Sequence, residues 1–232
     1  MLILAIDTAL DACAAAVLDT RAGVPVAQES QPMKRGHAEA LMPLIARVMK
    51  EAGVGFAALD RIAATTGPGS FTGLRVGLSA ARGIALAAGK PVVGVTTLTA
   101  YAAPIVSTNS GAPVVAAIDA RHDHVYLQVV SGDGGPLIAP RLAPIEEALA
   151  ASRFGAPHLV GNAARLLADR WPADAPAPFQ VDAQPAPDIA WVAWLGVAVS
   201  PETAPARPYY LRAPDAKPAQ GLRQKAPQLS EP

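Results

Sequence analysis

The 232-residue sequence predicts an α/β protein of two lobes built on mixed sheets. Three observations predict it. Apolar residues make up 51% of the chain and charged ones only 16%, enough to bury a core at this length. Residues 1–103 run through strand and helix patterns in the order βββαβαβ. The remainder changes character, with one hairpin, short helices and a Pro- and Ala-rich stretch. The expected division is therefore 1–103 for the first lobe and 104–212 for a smaller second lobe. The last helix is free to cross back to the first, and 213–232 is a polar, disordered tail.

The elements follow in order. Leu2–Ile6 is an apolar, β-rich run, and Cys13–Leu18 and Gly23–Glu29 continue it as a three-strand meander. A helix is expected from Gly36 to Ala52, because Leu41, Ile45, Val48 and Ala52 recur on one face, widened by Ala38, Met42 and Met49. Pro43 predicts a kink or a late start, and Gly53 ends the helix. Arg61–Thr66 is a strand entering the loop 67–73, and Leu74–Ala88 is a helix of small residues that admits close neighbours. Pro91–Val95 closes the lobe. Val114–Ile118 and Val125–Val130 form the hairpin around a turn at 119–124. Glu146–Ala151, Ala163–Asp169 and Ile189–Ser200 read as helices and His158–Val160 as a strand, with 171–187 a loop.

Charge and cysteine content narrow the function. The chain has as many Lys and Arg as Asp and Glu, without the basic excess of a protein that grips nucleic acid alone. A single cysteine, Cys13, excludes an intrachain disulfide and a Cys-cluster metal site, and fits a reduced, cytoplasmic setting. Its apolar surroundings predict a small buried thiol rather than a nucleophile. The apolar start reaches Asp7 after six residues without a basic leader, so neither a signal peptide nor a membrane span is expected.

Four features are candidates for chemistry. Asp7-Thr8 sits in a turn between two strands, where a carboxylate and turn amides serve a cation-bound phosphate, or where the Asp simply makes an Asx turn. Gly67-Pro-Gly-Ser-Phe-Thr-Gly73 puts three glycines before a helix, either an anion cradle or a structural turn, and no Lys follows at P-loop spacing. His37 opens a helix with no second ligand at metal spacing. His122 and His124 flank Asp123 and read as a solvated turn or a weak metal site.

Leu4-Ala-Ile-Asp-Thr8, Gly36-His-Ala-Glu39 with Leu41-Met-Pro-Leu44, and above all Gly67-Pro-Gly-Ser-Phe-Thr-Gly-Leu-Arg-Val-Gly77 resemble the TsaB (YeaZ) family. Pro91–Val95, Asp119-Ala-Arg121 and Tyr210–Lys217 continue the likeness, which is loose between 131 and 205. The resemblance implies an actin/Hsp70-like (ASKHA, ribonuclease H-like) two-lobed fold, and a subunit that dimerises with the catalytic relative TsaD. TsaD would transfer threonylcarbamoyl to N6 of adenosine 37 in ANN-decoding tRNAs. A TsaE-type ATPase would dock on the pair, and tRNA would be met only through the complex. Where TsaD-like proteins carry a His-x-x-x-His metal pair, this chain has Thr97 and Tyr101, neither a soft nitrogen ligand, so no metal site is expected.

The same resemblance assigns the partner interface to Leu41, Met42, Ile45, Met49, Leu74, Leu78 and Arg82, residues that read equally as the lobe's own core. It puts Asp7, Thr8, Gly67, Gly69 and Ser70 nearest to any nucleotide, with ATP or ADP at the subunit junction and no cofactor of the chain's own. Without TsaD, a homodimer through the apolar helices is expected. The alternatives are an independent nucleotide-binding phosphotransferase of the same fold, or a metallopeptidase-like protein. The first lacks a phosphate loop in the second lobe and the second lacks a metal or nucleophile site.

Overall fold

The structure, a computed structural model, describes residues 1–108 and 110–212. The expected tail at 213–232, and the Ala213–Lys217 part of the last family motif, lie outside the described residues. The first lobe holds β1 (Leu2–Asp7), β2 (Ala12–Asp19), β3 (Pro25–Pro32), α1 (His37–Glu51), β4 (Arg61–Gly67), α2 (Phe71–Ala88) and β5 (Val92–Thr96). Next come α3 (Thr97–Ser107), β6 (Val114–Arg121), β7 (His124–Val130), β8 (Pro136–Pro144), α4 (Ile145–Leu149), β9 (His158–Val160), α5 (Ala164–Ala168), β10 (Gln180–Asp182) and α6 (Ile189–Ala198).

The two sheets are topological copies. The first is ordered β3-β2-β1-β4-β5 and the second β8-β7-β6-β9-β10. In each, the first three strands pair antiparallel and the last two join parallel. No repeat is visible in the sequence. What repeats is the pairing order, which the turns and buried faces enforce without sharing residues.

Alternation along β1 and β2 sorts side chains onto two buried faces. Leu4, Ile6, Cys13, Ala15 and Val17 pack under α1 and α2 with Leu44, Ile45, Val48 and Ala81. Ala5, Ala14, Ala16 and Leu18 face the other way, onto Val192 and Ala193 of α6. The last helix therefore returns to the first sheet. Arg61 holds its end by donating from Nη1 to the carbonyls of Gly196 (2.8 Å) and Val199 (2.5 Å), a cation at a helix C-terminus. Beyond α6 the chain runs as a strap along β5, where the Gly94 amide donates to Ala204 O at 2.8 Å and covers an open sheet edge.

Several expectations need correction. The lobe boundary drawn at residue 103 falls inside α3, a helix the sequence did not announce. Thr97–Ser107 is apolar nearly all round and carries Pro104, so it shows no amphipathic face, because it is packed between the two sheets. α1 starts at His37 despite Pro43. α2 starts at Phe71, three residues earlier than expected, because the Ser70 side chain accepts from the Gly73 amide and caps it. β8 lies in a stretch to which the sequence assigns no element; its prolines are tolerated on a sheet edge. β10 forms within the expected 171–187 loop.

α6 sits close on the sheet because Gly196 has no side chain, and a Cβ there would lie 2.4 Å from that of Ala63. Gly196→Ala is expected to lose about 1–3 kcal/mol from overpacking, despite the better helix propensity of alanine. Urea unfolding midpoints measure it, and an unchanged midpoint would contradict this packing.

Candidate functional site

Asp7 closes β1 and is fully buried. Its Oδ1 accepts from the Thr65 hydroxyl at 2.6 Å and from the Ala9 amide at 3.0 Å, while Oδ2 has no hydrogen-bond partner among the described residues. Burial pushes the carboxyl above its ordinary value. The Thr65 and Ala9 hydrogen bonds pull it part of the way back. Thr8 is buried beside it and donates its hydroxyl to Gly73 O at 2.7 Å, and the Ser70 amide donates to Ala9 O at 2.7 Å.

The glycine loop is thus pressed onto the first turn. A Cβ at Gly69 would lie 2.3 Å from Ala9 O, one at Gly73 2.1 Å from Thr8 O, and one at Gly77 2.4 Å from Thr8 Oγ1. Gly67 needs its bare backbone too, at a φ of 106° with Leu74 and Tyr209 against it. The glycines serve backbone contact, and the space above Asp7 and Thr8 is filled by the chain itself. Asp7, Thr8 and Gly67, expected nearest to a nucleotide, do not line an open cleft. Of the expected set only Gly69 and Ser70 line one.

That cleft, about 410 Å³, lies between the lobes. The start of α2 forms one wall with Ser70, Phe71 and Leu74, beside Asp11. The end of β6 forms the other with Asp119 and Arg121, beside Asn162. Residues 209–212 of the strap complete it. Tyr210 stacks tilted on Phe71 with centroids 5.3 Å apart, and the Arg75 guanidinium carbon lies 3.7 Å over the Phe71 ring. Arg212 ties the strap to the second lobe through Ala120 O at 3.0 Å. Asp119 repeats the Asx turn of Asp7, its Oδ1 accepting from the Arg121 amide at 2.7 Å. Its own amide donates to Asn162 Oδ1 at 2.8 Å. Sequence reading missed Asn162 and the strap's role. The Tyr210-Leu-Arg212 motif was visible, but nothing in it told which elements it would join.

The remaining candidates are accounted for by local bonds. Thr97 is fully buried and Tyr101 nearly so, its hydroxyl donating to Gln184 O at 2.9 Å. Among the described residues no group of three His, Cys, Asp or Glu side chains is arranged to hold a metal. The ring Nε2 of His37 meets Leu10 O at 3.0 Å. Arg121, His122 and Asp123 all adopt left-handed backbone, and Nδ1 of His124 meets His122 O at 2.6 Å. Cys13 is buried, and its thiol is pushed up to about 11, by burial first and then by the nearby Asp7 and Glu29.

The interface set is divided by burial. Leu41, Ile45, Met49, Leu74 and Leu78 are at most 4% exposed and belong to this chain's own core, so their side chains are not offered to a partner. Arg82 is exposed and donates from Nε to Ala206 O at 2.9 Å. Met42 is 49% exposed and lines a shallow apolar groove between α1 and α2 with Phe56, Ala80, Gly83 and Ala87.

A family model described as tRNA N6-adenosine threonylcarbamoyltransferase (TsaD) matches residues 29–168. The tRNA threonylcarbamoyladenosine biosynthesis protein TsaB of Haemophilus influenzae is 38% identical over 55% of this chain and 53% of its own length. That of Escherichia coli is 37% identical over 54% and 53%. The chain thus spans about half the length of these curated relatives. A crystal structure described as an uncharacterized protein with similarity to peptidase YEAZ from Pseudomonas aeruginosa superposes with a TM-score of 0.74 at 30% identity, covering 91% of this chain and 99% of that one. The chain belongs to the TsaB (YeaZ) family. That assignment places it among proteins of tRNA threonylcarbamoyladenosine biosynthesis, with the α/β fold of two mixed sheets described above. In this TsaB-family chain, no described helix is long and apolar enough to cross a membrane.

The Asp7 geometry makes a specific prediction. Asp7→Asn keeps an acceptor for Thr65 and Ala9 and is expected to match or exceed the wild-type stability at pH 7. Asp7→Ala orphans both donors and is expected to lose about 1–3 kcal/mol. Because the folded carboxyl holds its proton more tightly than the unfolded one, wild-type stability falls relative to Asp7→Asn as pH rises above the ordinary value of 3.8. Urea titrations from pH 4 to pH 8 measure the slope; a stability that rises with pH relative to Asp7→Asn would contradict a buried, proton-holding Asp7.

Proposed function

We propose that this chain is a non-catalytic subunit that pairs with a TsaD-type threonylcarbamoyltransferase in threonylcarbamoyladenosine synthesis on tRNA. The partner, not this chain, would carry the transfer to N6 of adenosine 37. The observation that carries this reading is the α1–α2 face. It is a groove of about 460 Å³ in which an exposed Met42 and Phe56 surround the small residues Ala80, Gly83 and Ala87. Small residues on a helix let another helix approach closely, and methionine adapts to the surface that arrives. The chemistry of Thr97 and Tyr101 supports the same division of labour, since both are turned to packing and neither is a nitrogen ligand.

In this reading the interface moves from the buried residues of the two helices to their outward positions, Met42, Ala80, Gly83 and Ala87, with Phe56 between. A TsaE-type ATPase would join the pair, ATP or ADP would sit at the junction, and tRNA would reach the chain only within the complex, in the cytoplasm. The same groove would serve a homodimer when the partner is absent.

The test is co-purification with TsaD from the same source, followed by threonylcarbamoylation assays with each subunit omitted. Complex formation and activity that needs both chains are the expected result. Met42→Glu with Ala87→Glu should leave the melting temperature nearly unchanged, since both positions face outward. The pair should weaken association by roughly a hundredfold, as expected for buried charge in an apolar interface. Tight binding by the folded double variant would remove this surface from the interface, and tRNA modification by this chain alone would overturn the subunit reading.

A further inference from the structure

We propose that the open edge of β3 takes up an extended, positively charged segment of a partner protein, which adds a strand to the first sheet and puts an arginine or lysine into the pocket beside it. The inference does not rest on the partner-subunit reading. Gln28 and Ser30 of β3 register with Ala16 and Ala14, which face α6, so this surface lies on the side of the sheet opposite α1 and α2.

Of the edges that the two described sheets present, β3 is the one left unguarded. The strap covers β5, where the Gly94 amide donates to Ala204 O at 2.8 Å. β8 is interrupted by Pro136, Pro140 and Pro144, and β10 has only three residues. β3 ends the strand order of the first sheet and pairs with β2 in regular register from Ala27 to Pro32. The run Ala27–Gln31 holds neither proline nor lysine. Its one charged side chain, Glu29, faces the α1 side and is held by Arg47 at 2.8 Å. Proteins guard a regular edge with proline, lysine or a covering segment, because its outward amides and carbonyls are a template for another strand. β3 has none of these guards among the described residues, so its edge is free for a strand from another chain.

A pocket of about 600 Å³ lies against that edge and shares no lining residue with the cleft at Ser70 and Arg121. α6 covers Ala14 and Ala16 of β2 but leaves Gln28 and Ser30 exposed, and these two line the pocket with Trp191 of α6. A strand laid along β3 therefore sends every second side chain into this space. The pocket selects charge. Asp182 and Asp188 line it, and no Lys, Arg or His does. Asp182 Oδ1 accepts from Gln184 Nε2 and Asp188 Oδ1 from the Ala190 amide, both at 2.9 Å, and no described donor reaches the second oxygen of either. Two half-occupied carboxylates beside an indole suit a guanidinium or ammonium group carried on an apolar stem. The same carboxylates repel an acidic segment.

The test uses the full chain and a fluorescein-labelled peptide, Ser-Thr-Val-Arg-Val-Thr-Ser, in anisotropy titrations. Its counterparts carry glutamate in place of arginine, or N-methyl groups on one or the other set of alternate amides. Saturable binding of the arginine peptide, roughly tenfold weaker for the glutamate peptide, is the expected result. One of the two N-methylated peptides should lose binding, since only one set of amides faces β3. Hydrogen exchange at the β3 amides should slow in the complex. Gln28→Lys, at an exposed position, should weaken binding roughly tenfold without moving the melting temperature. Asp182→Asn with Asp188→Asn keeps both acceptors for Gln184 and Ala190 and should bring the arginine and glutamate peptides to similar affinity. Met42→Glu with Ala87→Glu should bind the peptide as wild type does, so failure of the α1–α2 interface and failure of this site are told apart. No saturable binding at millimolar peptide, equal wild-type affinity for the arginine and glutamate peptides, or binding that both N-methylated peptides retain overturns the proposal. Self-association that Gln28→Lys abolishes, without peptide binding, gives the edge to a second copy of the chain and overturns it as well.

Discussion

The contact between the first turn and α2 is made by backbone on both sides, and much of the first lobe depends on it. Thr8 O and Ala9 O approach Gly73 and Gly69 so closely that no Cβ fits, and Thr8 Oγ1 takes the space beside Gly77. The Thr8 hydroxyl and the Ser70 amide lock the two pieces together. Three consequences follow from this single constraint. α2 is drawn down onto β1, so Leu74 and Leu78 enter the core. Asp7 loses its water and is pushed toward its protonated form. The cap and first residue of α2, Ser70 and Phe71, are turned toward the second lobe, where they become one wall of the cleft.

The second lobe repeats the plan without repeating the contact. Asp119, two residues before the end of β6, makes the same turn to the amide two residues on that Asp7 makes at the end of β1. Gly161 follows β9 at a φ of 101°, as Gly67 ends β4 at 106°. Yet Asp119 is exposed while Asp7 is sealed, because α5 has only five residues, too short to cover the turn as α2 covers its own. Two copies of one topology therefore meet with one turn closed and the other open, and the strap of residues 204–212 spans them. Its hydrogen bonds run from the β5 edge and Arg82 in the first lobe to Ala120 in the second.

Burial also decides which surface is left for another protein. The helical period groups Leu41, Ile45 and Val48 on one face, but the period is the same whether that face meets the chain's own sheet or a partner. The sheet takes it here, because β1 and β2 are buried on both sides and need cover from α1 and α2 on one and α6 on the other. What remains outward is the neighbouring row, Met42 with the small residues of α2, less apolar by sequence and more exposed by structure.

The sequence by itself determined the α/β class, the strand-helix order of the first lobe, the buried thiol of Cys13 and the family. These are local matters of alternation, glycine punctuation and motif, and each can be read within a window of a few residues. Tertiary structure decided the rest. α3 and β8 carry no local signature, one because both lobes enclose it and the other because an edge tolerates proline. Whether Gly69 and Gly73 cradle an anion or a backbone cannot be told from their spacing, since both uses require the same absence of a side chain. Only the position of Thr8 and Ala9, sixty or more residues away in the chain, resolves it. The cleft joins Asp11, Arg121 and Tyr210 for the same reason: pairing order and the returning strap bring together residues that no sequence interval relates.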